Sequence, residues 1–260
     1  MTATTPSADT EFVCQQHLDL FDDADCQTLG TQAARGRHLK LTETQTPTAI
    51  LVEQCEDAYR AWLPRVKLSA LSPVVNLYQA IRVERPEVSK RIPAAIRYCQ
   101  QAQQQTNHYQ WGGNIGPHYD CSGLMQAAFQ SQGIWLPRDS YQQAAFCEAV
   151  IDVQSLSPTE KTKARHSLIQ DCQPGDLLFF GSQRIDHVGL YLGAGQYLHS
   201  SGKSYGRNGI GVDSLTDLDD PISQNYFQKW WSIRRVTHSF DPQKDELVWT
   251  NVAVDTGLLK

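Results

Sequence analysis

The sequence predicts an α+β chain in two parts: a small all-β barrel over residues 11–72, then a mixed domain of helices and strands over 93–238. Three observations carry this. From Glu11 to about Leu71, short apolar runs are separated by turn-forming residues. Between Ile92 and Phe129, apolar residues recur at helical spacing in two separate stretches. After Pro174-Gly175-Asp176, short apolar strands return. Residues 1–10 read as a disordered N-terminus, 73–92 as a linker and 239–260 as a tail.

In the first part the clearest strands are Phe12-Val13-Cys14, Leu18–Phe21, His38–Leu41 and Ala49–Val52, with Trp62-Leu63 closing the segment. Two of them alternate with period two, as half-buried strands do. Ser72-Pro73 opens a connection that contains Arg85-Pro86. A helix fits Pro93–Gln103, with Ile92, Ala95, Ile96, Cys99 and Ala102 on one stripe. The loop Tyr109-Gln110-Trp111-Gly112-Gly113 follows. A second helix starts near Cys121, carries Leu124, Met125, Ala128 and Phe129 inward, and is closed by Gly133. After Pro137 a polar, helix-prone stretch runs to about Gln170. Leu177–Phe180 reads as a short buried strand. His187–Leu192 is a strand with His187, Gly189 and Tyr191 on one face, and a turn at Gly193-Ala194-Gly195 leads into Gln196–His199. A three-residue loop pairs position 189 with 199 and puts His187 and His199 on the same face. A two-residue loop puts them on opposite faces. Leu247-Val248-Trp249 could add a further strand.

Composition narrows the function. A formal charge of −5 without a basic run argues against nucleic acid or anionic lipid as the main partner. Nothing approaches the roughly 18 apolar residues of a membrane span, and Met1–Pro6 lacks the basic and apolar regions of a secretory leader. The seven cysteines include no CxxC pair. They are expected to be reduced thiols in the cytoplasm, with neither metal nor cofactor bound. Among them Cys121 stands apart. A thiol at a helix start meets free N–H groups and the positive end of the helix dipole, which favour the nucleophilic thiolate. A nucleophilic cysteine needs a base, and His187 and His199 are the candidates.

Five pieces in order resemble the NlpC-type cysteine peptidases that cut the peptide stems of bacterial cell wall. They are Tyr109–Gly113, Asp120-Cys121-Ser122-Gly123 before a helix, Pro174-Gly175-Asp176 before a strand, Asp186-His187-Val188-Gly189, and His199. The resemblance covers roughly Pro93 to Val236. It implies a papain-like core, a cysteine-bearing helix packed on an antiparallel sheet that bears the histidines. It further implies Cys121 as nucleophile, His187 as general base, His199 as the group orienting His187, and Tyr109 as a contributor to the oxyanion site beside the Cys121 N–H. Asp120, Ser122 and Arg138 become substrate contacts, Arg138 toward a carboxylate. His118 is a loop histidine that could touch substrate.

The first part resembles a bacterial SH3-like barrel, and its pairing with such a domain is similar to cyanobacterial-type γ-D-glutamyl-diamino-acid endopeptidases. The shared stretch reads Cys55-Glu56-Asp57-Ala58-Tyr59-Arg60-Ala61-Trp62-Leu63. Here the resemblance implies that Glu56 and Asp57 bind the free amine of an N-terminal L-alanine and that Tyr59 lines that pocket. Ala58 and Ala61 stand where an acidic residue and a glycine are expected. The expected partner is therefore a stem peptide, L-Ala-γ-D-Glu-diamino acid, cleaved at the γ-D-glutamyl bond in murein recycling. An amidase or acyltransferase using the same thiol, or a non-catalytic wall-binding protein, are the alternatives.

Overall fold

The computed structural model describes residues 10–204 and 206–246. The expected disorder at the extreme N-terminus and the strand at Leu247–Trp249 lie outside the described residues. The chain divides into two units, residues 81–240 forming one, and residues up to Ala80 together with the segment from Asp241 forming the other.

The first unit is built on an antiparallel sheet. In chain order its strands are β1 (Glu11–Cys14), β2 (Leu18–Phe21), β3 (Leu29–Ala33), β4 (His38–Gln45), β5 (Ala49–Gln54), β6 (Arg60–Pro64) and β7 (Leu71–Pro73). Their order across the sheet is β3-β2-β6-β5-β4-β1-β7. The strands foreseen in the sequence all form, and β3 and β7 are added to them. Both escaped notice because neither is a sustained apolar run: β3 is Leu-Gly-Thr-Gln-Ala and β7 only three residues. Alternate residues Leu18, Leu20, Leu39, Leu41, Val52 and Leu63 turn inward and make one core.

The second unit opens with α1 (Arg85–Gln104), which starts eight residues before the helix expected from Pro93. Pro86 sits at the helix start, where its missing N–H costs nothing. Pro93 lies inside the helix instead of beginning it. Val88 on one side of it and Ala95, Cys99 and Ala102 on the other are buried along one stripe, so packing carries the helix past the proline. Next come α2 (Cys121–Gln130), α3 (Ser140–Phe146), β8 (Glu148–Asp152) and α4 (Pro158–Leu168). The stretch read as helix-prone thus contains a strand between two helices.

The six-stranded sheet is completed by β9 (Leu177–Gly181), β10 (Ile185–Gly193), β11 (Gln196–Ser201), β12 (Gly209–Ser214) and β13 (Trp230–Arg235), with α5 (Pro221–Gln228) preceding the last. The order is β12-β11-β10-β9-β13-β8, and every pairing is antiparallel. Both faces of β9 are covered. Leu177 and Phe179 join the core with α2, while Leu178 and Phe180 join a second core with Tyr226, Phe227 and Trp230. This is why Leu177–Phe180 reads as an unbroken apolar run. Among the described residues no helix is long and apolar enough to cross a membrane.

Candidate active site

The site is assembled in the second unit from the start of α2 and from three adjacent strands. Asp120 is the N-cap of α2; its Oδ1 accepts the Gly123 N–H at 2.6 Å. The motif glycine has a steric reason: a Cβ on Gly123 would stand 2.1 Å from the Gly113 carbonyl oxygen and 3.0 Å from Asp120 Oδ1. Gly113 O in turn accepts the Asp120 N–H, tying the glycine loop to the helix start. Cys121 therefore occupies the first turn of a helix whose residues Cys121 through Phe129 are all buried.

Arg138 fixes this corner. One terminal nitrogen donates to Asp120 Oδ1 and to Ser122 Oγ, and the other donates to Asp120 Oδ2 at 2.6 Å. Arg138 is only 1 % exposed. Asp120, Ser122 and Arg138, expected as substrate contacts, are bonded to one another as a buried cap on the Cys121 helix.

The histidines lie on the β10–β11 hairpin. Leu190 pairs with Leu198 and Tyr191 with Tyr197, the register of the three-residue turn, so His187 and His199 share a face. Gly189 sits between them because a Cβ there would come 2.8 Å from the Tyr197 ring and 3.3 Å from His199 Cβ. His187 Nε2 and His199 Nδ1 are 2.6 Å apart. On the far side, His199 Nε2 lies 2.6 Å from Asp213 Oδ2, on β12. Asp213 Oδ1 accepts from Arg207 at 2.5 Å and from Ser223 Oγ at 3.1 Å. The sequence reading missed Asp213, Arg207 and Ser223.

Asp213 settles the tautomers. A carboxylate accepts only, so His199 must donate its Nε2–H and offer the Nδ1 lone pair. His187 then donates from Nε2, which leaves its Nδ1 as the basic nitrogen. The Cys121 sulfur reaches the backbone N–H of Val188, the residue after His187, and that of Ser122. The Tyr226 ring covers both imidazoles, with centroids 4.6 Å from His187 and 4.7 Å from His199.

Charge in this site is governed by burial. Burial, then the Asp120 carboxylate, push the Cys121 thiol up to about 12, against the pull of the two N–H groups and Arg138. Desolvation thus opposes the pull of the helix start on the Cys121 thiol. Burial, then His199 and Lys229, hold His187 well below the usual imidazole range, and burial lowers His199 despite Asp213. Asp213 is itself buried, yet hydrogen bonds and charge from His199 and Arg207 bring it down to about 2. Tyr109 stays protonated, its phenol raised by burial and by Cys121 and Asp120, and so remains a hydrogen-bond donor.

The remaining expected residues are placed as follows. His118 is half-buried, stacks on His108 at 3.6 Å between centroids, and accepts the His108 N–H. In the first unit, Glu56 and Asp57 are buried and share the Arg37 guanidinium at 2.9 and 3.0 Å. Glu56 also accepts the His38 N–H, and Asp57 accepts that of Tyr59. Tyr59 is buried with its hydroxyl 3.4 Å from Asp22. Ala58 takes φ +57°, the left-handed conformation that glycine adopts more readily. Among the described residues, no group of three or more His, Cys, Asp and Glu could hold a metal ion.

The sequence profile of the NlpC/P60 family matches residues 106–236, half of the chain. The chain belongs to the NlpC/P60 family. A second profile, the bacterial dipeptidyl-peptidase SH3 domain, matches residues 20–68. Among curated relatives, this NlpC/P60 chain is 41 % identical over 102 residues to the gamma-D-glutamyl-L-lysine dipeptidyl-peptidase of Bacillus subtilis (strain 168), covering 37 % of this chain and 29 % of that one. It is 36 % identical over 108 residues to the probable endopeptidase p60 of Listeria seeligeri, covering 41 % and 16 %. The chain thus spans less than a third of the length of these relatives. A crystal structure of an NlpC/P60 family protein from Bacillus cereus ATCC 10987 aligns at a TM-score of 0.40 and 19 % identity, over 87 % of this chain and 63 % of that one.

Proposed function

We propose that the protein is a cysteine peptidase that hydrolyses the γ-D-glutamyl–diamino acid bond of peptidoglycan stem peptides bearing a free N-terminal L-alanine. The observation that carries the reading is the chain Asp213–His199–His187 ending beside a thiol at a helix start. The similarity to a protein named as a gamma-D-glutamyl-L-lysine dipeptidyl-peptidase supports the substrate class.

Because burial favours the neutral form of both partners, the first step is written as a proton transfer coupled to attack. The Cys121 S–H proton passes to His187 Nδ1 as sulfur bonds to the γ-carbonyl carbon. The helix N–H groups stabilise the developing anion, and the His199–Asp213 pair stabilises the imidazolium. The oxyanion is held by the Cys121 N–H and the protonated Tyr109 hydroxyl. His187 then protonates the departing amine of the diamino acid, leaving a thioester. Water attacks that thioester, yields its proton to His187, and releases L-Ala-γ-D-Glu and the thiol.

Amine recognition by Glu56 and Asp57 belongs to the same proposal. Two carboxylates against one Arg37 leave a net negative charge that suits an ammonium group. A direct contact of Ser122 or Arg138 with the γ-D-glutamate carboxylate, and service in cytoplasmic recycling of soluble fragments, are likewise part of it. Incubation with L-Ala-γ-D-Glu-diaminopimelate, followed by mass spectrometry, tests the reading. Release of L-Ala-γ-D-Glu by wild type and its loss in Cys121→Ala are expected. No cleavage, or undiminished cleavage by Cys121→Ala, sinks the proposal. With a sugar-linked stem peptide as a second substrate, release of a lactate-linked sugar instead would identify an amidase, and a requirement for an acyl acceptor a transferase.

A further inference from the structure

A second cluster of polar groups lies in the same unit, away from Cys121. A cavity of about 250 Å³ is lined by Gln154, Lys161, Gly181, Ser182, Gln228, Lys229, Trp230 and Trp231. No aspartate or glutamate lines it. It presents two ammonium groups, two carboxamides, a hydroxyl and two indoles, so the lining is dominated by hydrogen-bond donors.

Two buried groups bear on what fills it. Lys161, on α4, is 8 % exposed, and its Nζ donates to the Trp230 carbonyl at 2.7 Å. That partner is neutral, and the Asp152 carboxylate acts on Lys161 through its charge without a salt bridge to it among the described residues, which leaves room for a counter-anion. Trp230 is 1 % exposed, and its indole Nε1 is a buried donor without a hydrogen-bond partner among the described residues. Buried donors of this kind normally have one. Lys229, at the end of α5, adds a second cation to the rim.

We infer that this cavity is a binding site for a compact oxyanion, a carboxylate or phosphate group of a small molecule, held by Lys161, Lys229 and the Trp230 indole. Lys161 supplies charge from below, its position fixed by the Trp230 carbonyl. The indole N–H supplies direction, and Lys229 closes the ligand from the solvent side. The site is separate from the nucleophile but electrically linked to it, since the Lys229 charge is one of those that disfavour protonation of His187.

The full-length protein is titrated with inorganic phosphate and, separately, acetate at constant ionic strength. Tryptophan emission and calorimetry are read together, with chloride as the control. Saturable binding of one or both anions, weakened roughly tenfold by Lys161→Met and several-fold by Lys229→Ala, is expected. Saturation by phosphate alone identifies a phosphate ligand, and by acetate alone a carboxylate. Melting curves check that each variant is folded. If Lys161→Met does not fold, Lys229→Ala and Trp230→Phe decide. A response no stronger than chloride, or one unchanged in the folded variants, overturns the site and leaves Lys161 as a strut beneath the Trp230 carbonyl.

Discussion

His199 and Asp213 are joined by a 2.6 Å hydrogen bond in which neither side chain is exposed to solvent. The pair fixes the proton positions of both imidazoles, so Asp213 is expected to act on turnover without touching substrate. Asp213→Asn should lower kcat on the stem tripeptide by roughly 10²-fold or more while KM changes little, because an amide can present a donor where the carboxylate only accepts. Steady-state kinetics on Asp213→Asn and Asp213→Glu check this. Equal losses in kcat and in folded fraction would assign Asp213 a purely structural role.

The same bond has a stability signature. Asp213 is held near 2 against an ordinary value of 3.8, so its contribution is complete above about 4 and lost as pH falls toward 2. Wild type should therefore lose about 2 kcal/mol more than Asp213→Asn across that interval. Urea unfolding at pH 2–5 measures the difference.

The acid limb of turnover should lie below pH 6.5. Burial, His199 and Lys229 lower the proton affinity of His187, so the base stays unprotonated until pH falls through that lowered value. Lys229→Ala removes one of the opposing charges and should move the limb to higher pH. A kcat profile for the two proteins tests the direction. Burial raises the Cys121 thiol, so iodoacetamide should alkylate Cys121 faster as pH rises.

Removing Arg138 should be costly. Arg138→Met leaves the buried Asp120 carboxylate without its bidentate partner and the nucleophile's helix without a braced cap. A loss of roughly 3–5 kcal/mol in unfolding free energy is expected, partly restored by Arg138→Lys. Denaturant midpoints for the three proteins report it.

If Glu56 and Asp57 read the substrate amine, Asp57→Ala should lower activity on free-amine tripeptide by something on the order of 10²-fold. Cys121 alkylation should be unaffected, and the N-acetylated tripeptide should be a poor substrate of wild type. Equal rates on both peptides would remove amine recognition from the proposal.

The readable parts of this site were the local ones. Asp120-Cys121-Ser122-Gly123 is a cap and a first turn, specified within four residues, and one hairpin puts His187 on the same face as His199. Asp213 was hidden because it sits on Gly-Ile-Gly-Val-Asp-Ser, a strand with weak alternation, and reaches His199 only through pairing with β11. Arg37 was missed for a similar reason: it meets Glu56 and Asp57 across the sheet, far away in sequence. The opposition to a thiolate at Cys121 had a different origin. A helix start can be read from sequence, but the burial that opposes its effect is a property of the packed unit. Pro93 misled as a helix boundary because local backbone preference was overruled by a stripe of buried residues on both sides of it.

The base and the nucleophile come from separate stretches of chain. His187 and His199 share one hairpin, Asp213 follows on the next strand, and Cys121 precedes them all. During synthesis the thiol therefore leaves the ribosome well before His187 and His199, the histidines of the assembled site. On the proposed function, a nascent or truncated chain ending before β10 carries Cys121 without its base, and cutting waits until the C-terminal strands dock, so the order of residues along the chain would double as a safeguard on when the site becomes reactive.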